Sequence, residues 1–76
     1  LYVKEVYPVK RKKDGKIFGQ SIIAQSIGSG KQTRYTIFNK DFERCGEIIK
    51  GDVIICKHYV RNGEYFNIDD YEIILQ

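Results

Sequence analysis

Thr33-Arg34-Tyr35-Thr36-Ile37-Phe38-Asn39-Lys40-Asp41-Phe42-Glu43-Arg44-Cys45-Gly46-Glu47-Ile48-Ile49-Lys50-Gly51-Asp52-Val53-Ile54-Ile55-Cys56-Lys57 reads as strand, short helix, strand. Arg34 to Phe38 is aromatic and β-branched, as strands are. Asn39 and Asp41 supply helix-start chemistry for a short helix over Asp41–Cys45. Lys50-Gly51-Asp52 makes a turn, and Val53 onward is apolar and β-branched again. A brief helix between the third and fourth strands of a small all-β chain predicts a closed barrel.

The flanking sequence supplies the other strands. Leu1 to Val9 is the first, with Val3, Tyr7 and Val9 on one face and Tyr2, Lys4 and Val6 on the other. This mixed alternation fits a bent strand with a bulge. Pro8 lacks an N–H, so it belongs at an edge or a bulge. Ile17 to Gln25 is the second strand. Ile17, Gly19, Ser21, Ile23 and Gln25 share one face, and Phe18, Gln20, Ile22 and Ala24 the other. Neither face is cleanly polar, so the alternation leaves open which one points inward. Gly19 marks a sharp bend or a close backbone approach. Ile27 to Lys31 is glycine-rich but lacks the spacing of a phosphate-binding loop, so it reads as a hairpin loop. The fourth strand runs from Val53 to Val60. Asn62-Gly63 turns the chain into a fifth strand, Tyr65 to Leu75, broken or bulged at Asp69-Asp70.

Seventy-six residues make one domain with a thin core. The chain begins at Leu1 without methionine, which suggests a segment of a longer protein. No apolar run approaches the roughly 20 residues of a membrane span, and no signal sequence is visible. Two cysteines, Cys45 and Cys56, are too few for a disulfide framework and read as buried thiols. These features fit a cytoplasmic protein. Net charge is +3, but residues 1–40 carry nine Lys/Arg against two Asp/Glu, while residues 41–76 carry four against eight. Such asymmetry is the footprint of a polyanion-binding face; clustered solvated charge is the plainer alternative.

Catalytic chemistry is scarcely represented. His58 is the single histidine, so no His-based metal cluster forms. Asp69 and Asp70 are adjacent and would point to opposite faces of a regular strand, which disfavours a two-carboxylate site. The domain is therefore read as a non-enzyme with no cofactor. Binding chemistry is richer. The turn Lys10-Arg11-Lys12-Lys13-Asp14-Gly15-Lys16 places five cations around a hairpin tip, where they project into solvent or onto an anion. Arg11, Lys12, Lys13 and Lys16 could neutralise phosphates. Phe18, Tyr35, Tyr59 and Tyr65 are the rings on which bases could stack, although a domain this small must bury most of its rings. Gln20, Arg34, Thr36, Arg61 and Asn62 complete the candidate set as polar or cationic contacts.

Three short motifs carry a family resemblance. Lys13-Asp14-Gly15-Lys16-Ile17-Phe18-Gly19 looks like the turn that opens the second strand of OB-fold nucleic-acid-binding (anticodon-binding-like) domains. Tyr35-Thr36-Ile37-Phe38 is similar to their third strand. Ile49-Lys50-Gly51-Asp52-Val53-Ile54 resembles the entry to their fourth. Within that group the chain looks most like the OB domains of bacterial DNA polymerase III alpha subunits. The resemblance implies a five-stranded OB-fold barrel that binds single-stranded DNA beside a polymerase, with catalysis elsewhere in the parent. It departs from the group near Gln20, where an aromatic often stacks on a base; Phe18 would have to substitute.

The expected partners are single-stranded nucleic acid, DNA favoured, and other domains of the parent, with no membrane. A docking module that packs on neighbouring domains through Glu43, Glu47, Asp69, Asp70, Glu72 and exposed sheet edges is the rival. An RNA- or tRNA-binding domain is a third possibility.

Overall fold

Alternating β-branched and aromatic residues form five strands, and the stretch between the third and fourth winds into one short helix. The computed structural model describes residues 1–75. In chain order the elements are β1 (Tyr2–Lys10), β2 (Ile17–Gln25), β3 (Gln32–Phe38), α1 (Asn39–Cys45), β4 (Val53–Asn62) and β5 (Tyr65–Leu75). They close into a barrel in the order β1-β2-β3-β5-β4. Neighbours are antiparallel except β3 and β5, which run parallel with Thr36 opposite Asn67. The expected five-stranded closed sheet, with its helix between the third and fourth strands, is therefore the observed one.

Closure depends on the Lys50-Gly51-Asp52 turn. Gly51 adopts φ 97°, a conformation that side chains resist. Asp52, 1% exposed, accepts the Ile49 N–H on its carboxylate at 2.8 Å. The turn then meets β1: Val3 N–H donates to the Asp52 carbonyl (2.8 Å) and Gly51 N–H to the Val3 carbonyl (2.9 Å). Tyr2 lies opposite Val53 to complete the seam.

The core holds Val3, Ile22, Ala24, Ile37, Ile48, Ile54, Ile68 and Tyr71. Each fully buried isoleucine contributes about 1.5–3 kcal/mol by leaving water, so five of them dominate the apolar stabilisation. Phe42 and Cys45 of α1 pack against this core and close one end of the barrel, with Ile48 fully buried behind them and Ile49 exposed. The helix begins earlier than its sequence predicts. Phe38 is its N-cap, without a side-chain cap bond. Asn39 instead donates from Nδ2 to the Ile17 carbonyl (2.9 Å), tying the helix to the start of β2. Both cysteines are half-buried, not fully buried, because they sit at the rim of the core.

Bulges decide which side chains face outward. Val3 pairs with Ala24 but Glu5 pairs with Ile23, so Lys4 is an extra residue in β1. The insertion reverses the alternation. Val3 and Val6 therefore both meet inward residues of β2, Ala24 and Ile22, while Tyr7 and Val9 meet Ser21 and Gly19 on the outer face. The expectation that Val3, Tyr7 and Val9 share a face is corrected by this bulge. On β5, Asp69 is skipped between Ile68 (opposite Tyr59) and Asp70 (opposite His58), the irregularity expected at Asp69-Asp70. Gly19 marks a close approach: a Cβ there would lie 2.6 Å from the Ile37 carbonyl oxygen.

Candidate nucleic-acid interface

The core residues fix the orientation of β2 and β3. Ile22 and Ala24 are inward, as is Ile37. Gly19, Ser21 and Ile23 therefore face outward, beside Phe38, Thr36 and Arg34 of β3. Tyr7, Ser21 and Thr36 form one row across three strands. Gly19 and Ser21 are small, so the outer face is hollowed along β2.

An open groove of 340 Å³ follows this hollow. Tyr7, Pro8, Val9 and Lys10 wall it on the β1 side, Ser21 and Thr36 form its floor, and Arg34 and Tyr65 stand at its other wall. Tyr7 is 46% and Tyr65 69% exposed, so both rings are accessible to a stacking partner. The basic turn begins where Lys10 ends the groove. It is folded by bonds from Arg11 N–H to the Lys16 carbonyl (2.9 Å) and from Gly15 N–H to the Arg11 carbonyl (2.8 Å). Arg11 pairs with Asp14 at 2.7 Å, whereas Lys12, Lys13 and Lys16 have no ion-pair partner among the described residues.

A second open groove, of 660 Å³, lies between the first half of β3, the β2–β3 loop and the β4–β5 hairpin. Its aromatic lining is Tyr35, Tyr59 and Phe66, with Lys31, Arg34 and Glu64 beside them. Tyr35 meets Phe66 edge-on (5.9 Å between ring centroids), and Tyr59 is tilted against it at 5.8 Å. Burial pushes the Tyr35 hydroxyl above its ordinary pKa, with Cys56 nearby adding to the rise, so it keeps its proton. Arg34 lines both grooves and joins them.

The candidates thus separate into groups. Arg34, Thr36 and Tyr65 meet at the first groove, with Arg11, Lys12, Lys13 and Lys16 in the adjoining turn. Arg34, Tyr35 and Tyr59 meet at the second. Gln20 lies on the inward side of β2 opposite Ile37, and Phe18 sits at the register shift between Val9 and Lys10; neither lines a groove, and Phe18 packs on the outward Phe38 at 6.2 Å. Arg61 holds its guanidinium over the Phe66 ring (5.5 Å) and donates from Nε to the Gly63 carbonyl (3.1 Å). Asn62 ends β4, and Gly63-Glu64 make the tight turn, with positive φ at Gly63 alone. Tyr7, Lys10, Lys31 and Phe66 line the grooves but are absent from the sequence-based set. The bulge at Lys4 hid Tyr7, because without it the alternation places that ring beside Val3.

In the acidic half Asp41, Asp69, Asp70 and Glu72 are ion-paired among the described residues, whereas Glu43, Glu47 and Glu64 are not. His58 Nδ1–H donates to Asp69 (2.6 Å), and this bond draws the Asp69 carboxyl below its ordinary pKa. Arg44 bridges Asp41 (3.3 Å) and Asp70 (3.7 Å), Lys57 reaches Glu72 (3.6 Å) and Lys50 reaches Glu5 (3.2 Å). Lys10, Lys12, Lys13, Lys16, Lys31 and Arg34, at or beside the grooves, form no ion pair among the described residues, and neither do Lys4, Lys40 and Arg61. Among the described residues no cluster of three or more His, Cys, Asp or Glu could hold a metal ion, and no helix is long and apolar enough to cross a membrane. Compared with protein-family models, curated proteins and solved structures, the chain matches none.

Proposed function

We propose that this chain is an OB-fold domain that binds single-stranded DNA without strong sequence preference. One observation carries the reading: the outer row Tyr7, Ser21 and Thr36 forms a hollow between Lys10 and its basic turn on one side and Arg34 with Tyr65 on the other. Cations neutralise the backbone, and exposed rings stack on bases of any identity, the combination that sequence-tolerant single-strand binding needs. The barrel order and the helix between β3 and β4 fit an OB-fold, whose groove takes oligonucleotides. The motif likeness extends the proposal: the parent is a replicative polymerase of the DNA polymerase III alpha type, cytoplasmic, with catalysis in another domain.

The test is a salt-titrated binding assay with a fluorescent single-stranded oligonucleotide. Affinity should fall steeply with salt, with a log–log slope of about −0.7 per phosphate neutralised. Lys12→Glu with Lys13→Glu should flatten that slope while the fold persists. Absence of binding at low salt overturns the proposal. Parallel titrations with RNA of the same sequence separate the DNA from the RNA reading, since only RNA offers a 2′-hydroxyl.

A second reading, a docking module, is favoured by one edge. Beyond Ile54, which exchanges main-chain hydrogen bonds with Leu1 (2.7 and 2.8 Å), β4 has no strand partner on its β1 side among the described residues, and Ile55, Tyr59 and Val60 are exposed along it. An unpaired apolar edge is a template for another chain. Binding of a partner domain by a chain that ignores nucleic acid would support this reading.

A further inference from the structure

The larger groove beside Arg34 is not needed to hold a strand along the outer face, yet it has the composition of a base pocket. Tyr59 is 54% exposed, its ring backed by Phe66, whose ring is in turn covered by the Arg61 guanidinium. The three-ring array therefore offers a stacking face already fixed by its neighbours, which lowers the ordering cost of binding. Lys31 and Arg34 stand beside it without ion-pair partners among the described residues, and the protonated Tyr35 hydroxyl and the Glu64 carboxylate can donate to and accept from a base edge. Arg34 lines both grooves, so a phosphate held there would sit between them.

We infer that the groove between β3 and the β4–β5 hairpin takes a single nucleobase, turned out of a DNA strand whose backbone passes Arg34 and stacked on Tyr59. The inference rests on the single-strand-binding reading above and adds to it a second subsite. A free volume of 660 Å³ accommodates one nucleotide; the lining includes both cationic and aromatic groups, whereas a purely apolar peptide side chain would leave Lys31, Arg34 and Glu64 unused.

The test compares two probes of equal length and charge: fluorescently labelled oligothymidylate and an abasic deoxyribose-phosphate oligomer. Tyr59→Ala should weaken oligothymidylate binding by roughly 5- to 150-fold and leave the abasic oligomer unchanged. Tyr59→Phe, which keeps the ring, should bind oligothymidylate like the parent. Circular dichroism melts confirm that each variant is folded. If the parent binds oligothymidylate and Tyr59→Ala binds it equally well, the base pocket is overturned while single-strand binding stands. If Tyr59→Ala weakens both probes alike, the ring acts through the fold, and the base pocket is likewise overturned. If the parent binds neither probe, the single-strand reading fails and takes this inference with it.

Discussion

Tyr7 lies directly opposite Ser21 across the β1–β2 ladder, on the outside of the barrel. An aromatic ring beside a small, 7% exposed hydroxyl residue leaves a ledge with a hollow next to it. If bases occupy that hollow, Tyr7→Ala should reduce single-stranded DNA affinity by a factor corresponding to about 1–3 kcal/mol. Because Tyr7 is exposed, its stability should stay near the parent's, within roughly 0.5 kcal/mol as for most surface substitutions. Ser21→Leu would fill the hollow from its floor and should weaken binding with Tyr7 still in place. Fluorescence anisotropy for affinity and urea melts for stability decide; unchanged affinity in both variants would remove the first groove from the interface.

The same pair of residues marks where the sequence stops being legible. Strand identities, both lysine-rich and Asn-Gly turns, and the helix between β3 and β4 follow from local composition, because turns and β-branched runs are local signals. The orientation of a strand is not local. β2 carries isoleucine on both faces, and only its pairing with Val3, Val6 and Ile37 fixes Ile22 and Ala24 inward. One bulged lysine reverses the rest of β1 and sends Tyr7 to the groove. Alternation alone cannot place an inserted residue within a strand. The absence of Gln20 from both grooves has the same root: nothing in its own neighbourhood states which face of β2 is wet. The second groove is less legible still: Tyr59 and Phe66 meet within the β4–β5 hairpin, but Lys31, Arg34 and Tyr35 reach them only through the parallel approach of β5 to β3.

Gly19 should tolerate no side chain. An added Cβ would come within 2.6 Å of the Ile37 carbonyl oxygen and 3.3 Å of the Phe38 Cα, both backbone atoms of the adjacent strand. Relief requires β2 and β3 to separate. Gly19→Ala is therefore expected to cost about 1–3 kcal/mol, the range for overpacking, lowering Tm by roughly 4–8 °C per kcal/mol in a domain this small. Gly28 is the internal control: nothing lies within 4 Å of its Cβ position and its φ is not positive. Gly28→Ala should be neutral or stabilising by up to about 1 kcal/mol, through the unfolded chain. Equal melts for the two variants would contradict the close approach.

Asp52 should matter out of proportion to its size. Its carboxylate is the acceptor for the Ile49 N–H, and its own backbone meets both Ile49 and Val3 at the seam that closes the barrel. Asp52→Ala strands a partly buried N–H, a loss of about 1–3 kcal/mol. Asp52→Asn keeps an acceptor oxygen and should recover much of it. Hydrogen exchange gives the local readout: in Asp52→Ala the amides of Val3 and Ile54 should exchange faster than those of Ile22 and Ile37. Uniform acceleration across the barrel would mean that the turn is not a separate closing element.

The remaining prediction concerns acid. Asp69 is held below its ordinary pKa chiefly by the hydrogen bond from His58, with Arg44 contributing from nearby. A carboxyl depressed in the folded state binds fewer protons there than in the unfolded chain. Its stabilisation is therefore present above the unfolded value, near 3.9, and is lost as pH falls through the lower folded value. Stability should rise with pH across that window, and the slope should shrink in Asp69→Asn and in His58→Gln. Both groups are solvent-exposed, so the effect should be small and should fade with added salt. Urea melts between pH 2 and pH 6 measure it, with Glu64→Gln as a control for an exposed carboxylate that forms no ion pair among the described residues. Parallel pH profiles for the parent and Asp69→Asn would show that the His58–Asp69 bond adds nothing to the folded state that the unfolded chain lacks.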